Sequence, residues 1–232
     1  MIRAIAINGS PSAEKGFTAM IMLPFIEGMK DAGADVVTFY TKRLKIKPCT
    51  GEMHCWYKKP GECYIKDDMQ KVYPVARDAD ILVFSTPVYI PLPGEMQNVM
   101  NRLSPLVIPR LQTREERTRA QLRDDVKIRK VVLVATGAWW EKENLDTVVR
   151  IAREFAADAS AEFAGAVLRP HAFVMKQQGK MTKDGMMILD AVRNAGYQLI
   201  KEGGIQKETL DLIARPLISR EELLQRFNKA LK

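Results

Sequence analysis

Short apolar, β-branched runs alternate with segments whose apolar residues recur at helical spacing, and that alternation restricts the chain to few architectures. Residues 2–7 are a strand-like run that ends in the turn cluster Asn8-Gly9-Ser10-Pro11. Residues 18–32 follow at helical period, with Gly33 as the stop. Residues 35–40, 81–85, 131–136 and 161–168 read as four further strands, the middle two as buried runs. Helical segments at 68–79, 94–103 and 143–157 separate them, the first capped by Asp67 or Asp68. Strands joined through helices pair in parallel by right-handed crossovers, which predicts a doubly wound α/β sheet of five strands in the order 2-1-3-4-5.

That order is the flavodoxin-like one, and its ligands bind outside the carboxyl ends of the strands. Beyond residue 170 the segments 181–201, 207–213 and 219–231 are helical in pattern, and Ser219 with Glu222 forms a capping box. This helical extension, 181–232, is longer than the minimal fold needs and is expected to cover the sheet or join a partner subunit. The 232 residues, 47% hydrophobic, suit a single domain over 1–232 with a cysteine-containing loop at 44–67 and a basic connection at 104–130.

Charge and cysteine usage narrow the function classes. The net charge of +8 is concentrated in residues 110–130, where Arg110, Arg114, Arg117, Arg119, Arg123, Lys127, Arg129 and Lys130 face only Glu115, Glu116, Asp124 and Asp125. Acids interleave with bases and no aromatic residue stands among them, so nucleic acid is not the expected partner. A solvated, ion-paired connection or helix is expected there, with an acidic redox protein or an anionic substrate tail as alternatives. No apolar run reaches the ~20 residues of a membrane span, and the first eight residues do not form a secretory leader. Three cysteines within fifteen residues are not a disulfide framework, and a reducing cytoplasm is expected.

Three strand-end loops carry the chemistry. In the first, 8–18, the hydroxyls of Ser10, Ser12 and Thr18 surround a helix N-terminus whose free N–H groups and dipole attract an anion such as a phosphate monoester. Neither a nucleotide-triphosphate loop nor a dinucleotide fingerprint is present, and the same hydroxyls serve equally as caps of turn and helix. The second loop, Ser85-Thr86-Pro87-Val88-Tyr89-Ile90-Pro91-Leu92-Pro93-Gly94, is stiffened by three prolines and suits a flat heteroaromatic ring, with Tyr89 beside it or in the core. The third, Thr136-Gly137-Ala138-Trp139-Trp140, holds two adjacent indoles that cannot both enter one core, so one faces a pocket or interface. A homodimer or homotetramer would cover these apolar groups.

In Gly9-Ser10-Pro11-Ser12 with Gly16-Phe17-Thr18, in Thr86-Pro87-Val88-Tyr89, and in Pro48-Cys49-Thr50-Gly51-Glu52-Met53-His54-Cys55 with Pro60-Gly61-Glu62-Cys63, the chain resembles the flavodoxin-like NAD(P)H-dependent FMN reductases, particularly the iron–sulfur flavoprotein branch. The resemblance spans roughly 1–200 and is firmest over 1–103. It implies bound FMN, with NAD(P)H as co-substrate and a small acceptor such as a quinone, flavin or metal ion. The alternative it implies is an electron carrier serving ferredoxin or another redox protein. Carried onto this chain, Ser10, Ser12, Gly16, Phe17 and Thr18 would hold the phosphate. Thr86, Pro87, Val88 and Tyr89 would line the ring, and Thr136, Gly137 and Ala138 would close its other side. No acid–base residue is expected, because the flavin itself accepts the hydride. The cluster-bearing branch carries four closely spaced cysteines, whereas here Cys49, Cys55 and Cys63 remain and Glu52 stands in the second place. A [4Fe–4S] cluster normally takes four thiolates, so the ligand count favours no metal. A cluster with Glu52 or another fourth ligand stays open, as does a zinc site that uses His54.

Overall fold

The computed structural model describes residues 1–229. Five parallel strands form one sheet: β1 (Arg3–Asn8), β2 (Asp35–Tyr40), β3 (Ile81–Pro87), β6 (Lys130–Thr136) and β7 (Glu162–Arg169). Their spatial order is β2-β1-β3-β6-β7, the predicted flavodoxin-like 2-1-3-4-5 once the hairpin strands are set aside.

Side-chain alternation along the strands builds two cores. Ile5, Ile7, Leu82, Phe84, Val131 and Leu133 face α3 (Met69–Asp78), α4 (Gly94–Asn101) and α5 (Asp146–Asp158). Ala4, Ala6, Ile81, Val83, Val132 and Val134 face α1 (Phe17–Asp31) and α6 (Lys183–Lys201). The central strands are apolar on both faces because helices cover both. The first part of the helical extension thus covers the sheet within the chain. Helices α1 and α6 cross closely, since a Cβ placed on Gly28 would sit 1.8 Å from the Arg193 carbonyl oxygen and one on Gly196 1.9 Å from that of Phe25.

The basic connection is neither a helix nor an irregular loop. Strands β4 (Val107–Arg114) and β5 (Arg117–Leu122) form an antiparallel hairpin, with Glu115 and Glu116 at positive φ in its turn. Its residues are part-buried or exposed apart from Ala120, and no apolar alternation announced it. Glu154 on α5 pairs with both Arg117 (3.1 Å) and Arg119 (2.8 Å), while Arg114 donates to the Ala157 carbonyl at 2.9 Å.

Other boundaries shift by a residue or a few. The helix expected over 143–157 opens as a 3-10 turn at Lys142–Leu145 and becomes α-helical at Asp146. At the start of α3 the side chain of Asp67, not Asp68, accepts from the Met69 N–H at 3.0 Å. A short helix α2 (His54–Tyr57) and a two-residue hairpin, β8 (Lys176–Gln177) with β9 (Lys180–Met181), add to the predicted elements. The chain continues through α7 (Lys207–Ala214) to α8 (Arg220–Lys229); residues 230 and 231 of the last expected helix lie outside the described residues. Half of the capping box forms, with the Glu222 N–H donating to Ser219 Oγ at 3.1 Å. Among the described residues no helix is long and apolar enough to cross a membrane.

Candidate functional site

The carboxyl ends of β1, β3, β6 and β7 open on one cleft of about 320 Å³, as the crevice rule for open α/β sheets requires. Its walls include Ser10, Ser12, Gly16, Phe17 and Thr18 from the first loop, Pro87, Val88 and Tyr89 from the second, and Thr136, Gly137 and Ala138 from the third. Backbone bonds beyond the strands hold these loops together: Val88 N–H to the Thr136 carbonyl at 2.9 Å and Gly137 N–H to that of Arg169 at 3.1 Å.

In the first loop, Asn8 Oδ1 accepts from the Ser10 N–H at 2.8 Å, and Ser10 Oγ accepts from the Ser12 N–H at 3.3 Å. Ser10 therefore shapes the turn. Thr18 does not cap the helix; its hydroxyl meets that of Thr136 at 2.9 Å, both residues buried, and ties the first loop to the third. Gly16 is required by close approach, because a Cβ there would lie 2.9 Å from both Ser10 Oγ and Ser12 Cβ. No side chain caps α1, and the earliest donor bonded at its start is Met20, to the Gly16 carbonyl at 3.1 Å. The N–H groups of the first turn thus remain open at the cleft, where an anion would satisfy them.

Thr86 departs from its expected place. It is buried and absent from the cleft wall, with its hydroxyl donating to the Pro87 carbonyl at 2.9 Å. Tyr89 is exposed at the mouth rather than in the core. Trp139 is 57% exposed, while Trp140 donates its indole N–H to the Ile218 carbonyl at 2.8 Å. Lys15, Ala172 and Phe173 also line the cleft and were not anticipated. Lys15 lies inside the phosphate-like loop and adds a cation. Ala172 and Phe173 follow β7, and the rule that ligands collect at strand carboxyl ends points there as well.

His171 stands beside Ala172 yet is closed to catalysis. It is fully buried, and its Nε2 receives Arg169 Nη2 at 2.9 Å and the Leu217 N–H at 3.2 Å. Burial, then the neighbouring Arg169 charge, push its pKa down to about 4, so it is neutral at physiological pH.

Residues 2–139 match the profile of the NADPH-dependent FMN reductases. The chain belongs to that family. FMN is the cofactor of the NADPH-dependent FMN reductases, and NAD(P)H is their co-substrate. An iron–sulfur flavoprotein of Archaeoglobus fulgidus is 33% identical over 105 residues, which are 44% of this chain and 51% of the relative. One from Methanocaldococcus jannaschii is 34% identical over 104 residues, 44% and 50% of the two chains. The match thus spans about half the length of these curated relatives. Among solved structures, an NAD(P)H:quinone oxidoreductase from Methanothermobacter marburgensis superposes with a TM-score of 0.59 at 16% identity, covering 85% of this chain and 96% of that one. An FMN-dependent NADH-azoreductase of Bacillus anthracis, in complex with FMN, gives 0.53 at 13% identity, with 88% and 97% covered. At these identities the likeness is one of fold.

The cleft's donors suit this reductase family's cofactor. An uncapped helix N-terminus, hydroxyls and one ammonium match a phosphate monoester, and the apolar stretches Pro87–Val88 and Gly137–Ala138 suit a flat ring. The cysteine loop fits a cluster less well. Cys49, Cys55, Cys63 and Glu52 line one small cavity of about 80 Å³. Among the described residues, however, no three His, Cys, Asp or Glu side chains converge as a metal-ligand set. Cys49 is exposed, while Cys55 and Cys63 are buried. Burial, then the nearby Cys63, push the Cys55 thiol up. Glu52 accepts a hydrogen bond from Thr50, which holds its carboxyl below the usual range, and Thr50 in turn meets Tyr64 at 3.0 Å. The carboxylate that replaces a cysteine is therefore engaged at the surface.

Proposed function

We propose that this chain is an FMN-dependent oxidoreductase that takes electrons from NAD(P)H and passes them to a small acceptor: a quinone, a flavin, a metal ion or a similar molecule. The observation that carries this reading is the convergence of three strand-end loops on one cleft beside the uncapped start of α1. When bound, FMN supplies hydride acceptance and one- or two-electron release. Ser10, Ser12, Thr18 and Lys15, with the first N–H groups of α1, hold the phosphate, and Gly16 keeps their turn tight. Pro87, Val88 and Tyr89 lie along one side of the ring, with Gly137 and Ala138 along the other. Thr86 and Thr136 act as supports, the first inside β3 and the second through Thr18. The exposed Tyr89 and Trp139 leave an open, apolar mouth for donor and acceptor, and partial water exclusion there strengthens polar contacts to the ring.

The carrier reading, with an acidic redox protein docked on the basic hairpin, has less support. Arg117 and Arg119 are occupied by Glu154, Lys127 by Asp78 and Lys130 by Glu162, so half of the eight basic residues of this stretch are already paired with carboxylates. Covering the exposed mouth by a second copy, as homodimer or homotetramer, fits the same geometry, and a cytoplasmic location fits the reduced thiols.

The phosphate site is tested by the double substitution Ser10→Ala, Thr18→Ala. It should weaken FMN by about 2–3 kcal/mol, since each hydroxyl contributes a charge-assisted bond or holds a loop that does. Fluorescence titration of apoprotein with FMN measures the change, and an unaltered dissociation constant would reject this phosphate site.

A further inference from the structure

A buried arginine with no carboxylate partner among the described residues stands at the end of β7. Arg169 is fully buried, and all its bonds go elsewhere: Nε to the Pro170 carbonyl at 2.9 Å, Nη1 to those of Ile213 (2.6 Å) and Arg215 (2.8 Å), and Nη2 to His171. Burying a guanidinium against carbonyls and a neutral imidazole, with no carboxylate among the described residues, is costly, and the bonds it makes hold those groups in place. The carbonyls of Ile213 and Arg215 belong to the end of α7 and the linker into α8. The same linker gives its Leu217 N–H to His171 and its Ile218 carbonyl to Trp140.

What this anchor delivers is α8, and α8 lands on the rim of the cleft. Arg220 pairs with Glu141 at 3.0 Å and lies over the Trp140 ring at 5.0 Å. Phe227 meets Phe173 edge-on at 5.4 Å between centroids and Trp139 at 5.6 Å. Phe173 is itself part of the cleft wall, and Trp139 follows Ala138, which is another. Backbone bonds already join the two loops, His171 N–H to the Trp139 carbonyl at 3.1 Å and Ala172 N–H to that of Gly137 at 3.2 Å. Phe227, 38% exposed, packs on the two aromatic side chains, whose rotamers those bonds do not fix.

We infer that α8, from the far end of the chain, buttresses the wall of the flavin cleft, and that Phe227 is a positioning residue that holds the Phe173 and Trp139 side chains where a planar aromatic acceptor would stack. This rests on the flavin reading above. Aromatic pairs of this geometry are strong enough that losing both should release Phe173 and Trp139 and blunt stacking in the cleft.

The test measures binding without turnover. Oxidised, FMN-loaded protein is titrated with 1,4-naphthoquinone by calorimetry, with no reductant present, for wild type, Phe227→Ala and Phe227→Tyr. FMN content and far-UV melting report cofactor retention and folding for each. The expected result is saturable binding by wild type, a dissociation constant about tenfold higher for Phe227→Ala with FMN still stoichiometric, and recovery by Phe227→Tyr. An alanine variant within twofold of wild type overturns the inference, as does a wild type that holds FMN but not the quinone. A wild type that takes up no FMN overturns the flavin reading first.

Discussion

Gly196→Ala should cost the fold about 3 kcal/mol or more, the upper range for forcing atoms into a packed interior. The added methyl group would sit 1.9 Å from the Phe25 carbonyl oxygen and 3.0 Å from the Met29 nitrogen, both backbone atoms that cannot rotate away. Only separation of α1 from α6 relieves that overlap. Phe25 and Met29 lie in the second half of α1, so the strain falls on the core that this helix pair builds against the sheet. Gly204→Ala is the matched control, as a Cβ there meets nothing within 4 Å. Urea unfolding of the two variants decides the point: a Gly196→Ala loss below about 1 kcal/mol would mean that the helices do not cross where the glycines place them.

Asp67→Asn is expected to destabilise the protein by about 3–5 kcal/mol, because it strands a buried cation. Arg102 is 1% exposed and its side chain is shared between Asp67 (2.7 Å), the Lys47 carbonyl (2.8 Å) and the Ile65 carbonyl (3.3 Å). Asp67 also accepts from the Lys47 N–H at 2.9 Å, so the pair pins both ends of the cysteine loop to the end of α4. Burial raises the Asp67 pKa, but the bonds from Arg102 and the backbone outweigh it and leave the carboxyl below its usual 3.8. The stabilisation is therefore complete above that pH and is lost as acid titrates through the lower folded value. Arg102→Met, which removes the charge and keeps the volume, should cost less than Asp67→Asn. Equal losses, or a loss under about 1 kcal/mol for Asp67→Asn, would show that the pair is not buried.

Most of the parallel sheet was readable because its strands are continuous apolar runs, buried on both faces, set between helices of clear period. The same rule failed for β4 and β5. Their Arg, Thr and Gln residues are polar whether they are exposed, as Arg110, Gln112 and Thr113 are, or part-buried, as Arg114 and Arg119 are, and nothing in the pattern separates such a hairpin from a charged loop. At the site, the three loops were readable from turn chemistry and from their positions after strands. Thr86 was assigned to the cleft with Pro87, Val88 and Tyr89 by the family resemblance, but it is buried at the end of β3, where strand pleating turns successive side chains to opposite faces. Arg102 with Asp67, and Phe227 with Trp139, are long-range pairs that no local pattern encodes. Each reached its partner only after the chain had folded.

The most direct test of the account is anaerobic reduction of purified, FMN-loaded protein by stoichiometric NADH or NADPH, followed by visible absorption. Loss of the flavin bands with one equivalent, and their return when a quinone is added, is the predicted result. Protein that binds FMN at the cleft but is bleached by neither nucleotide would contradict the proposed function.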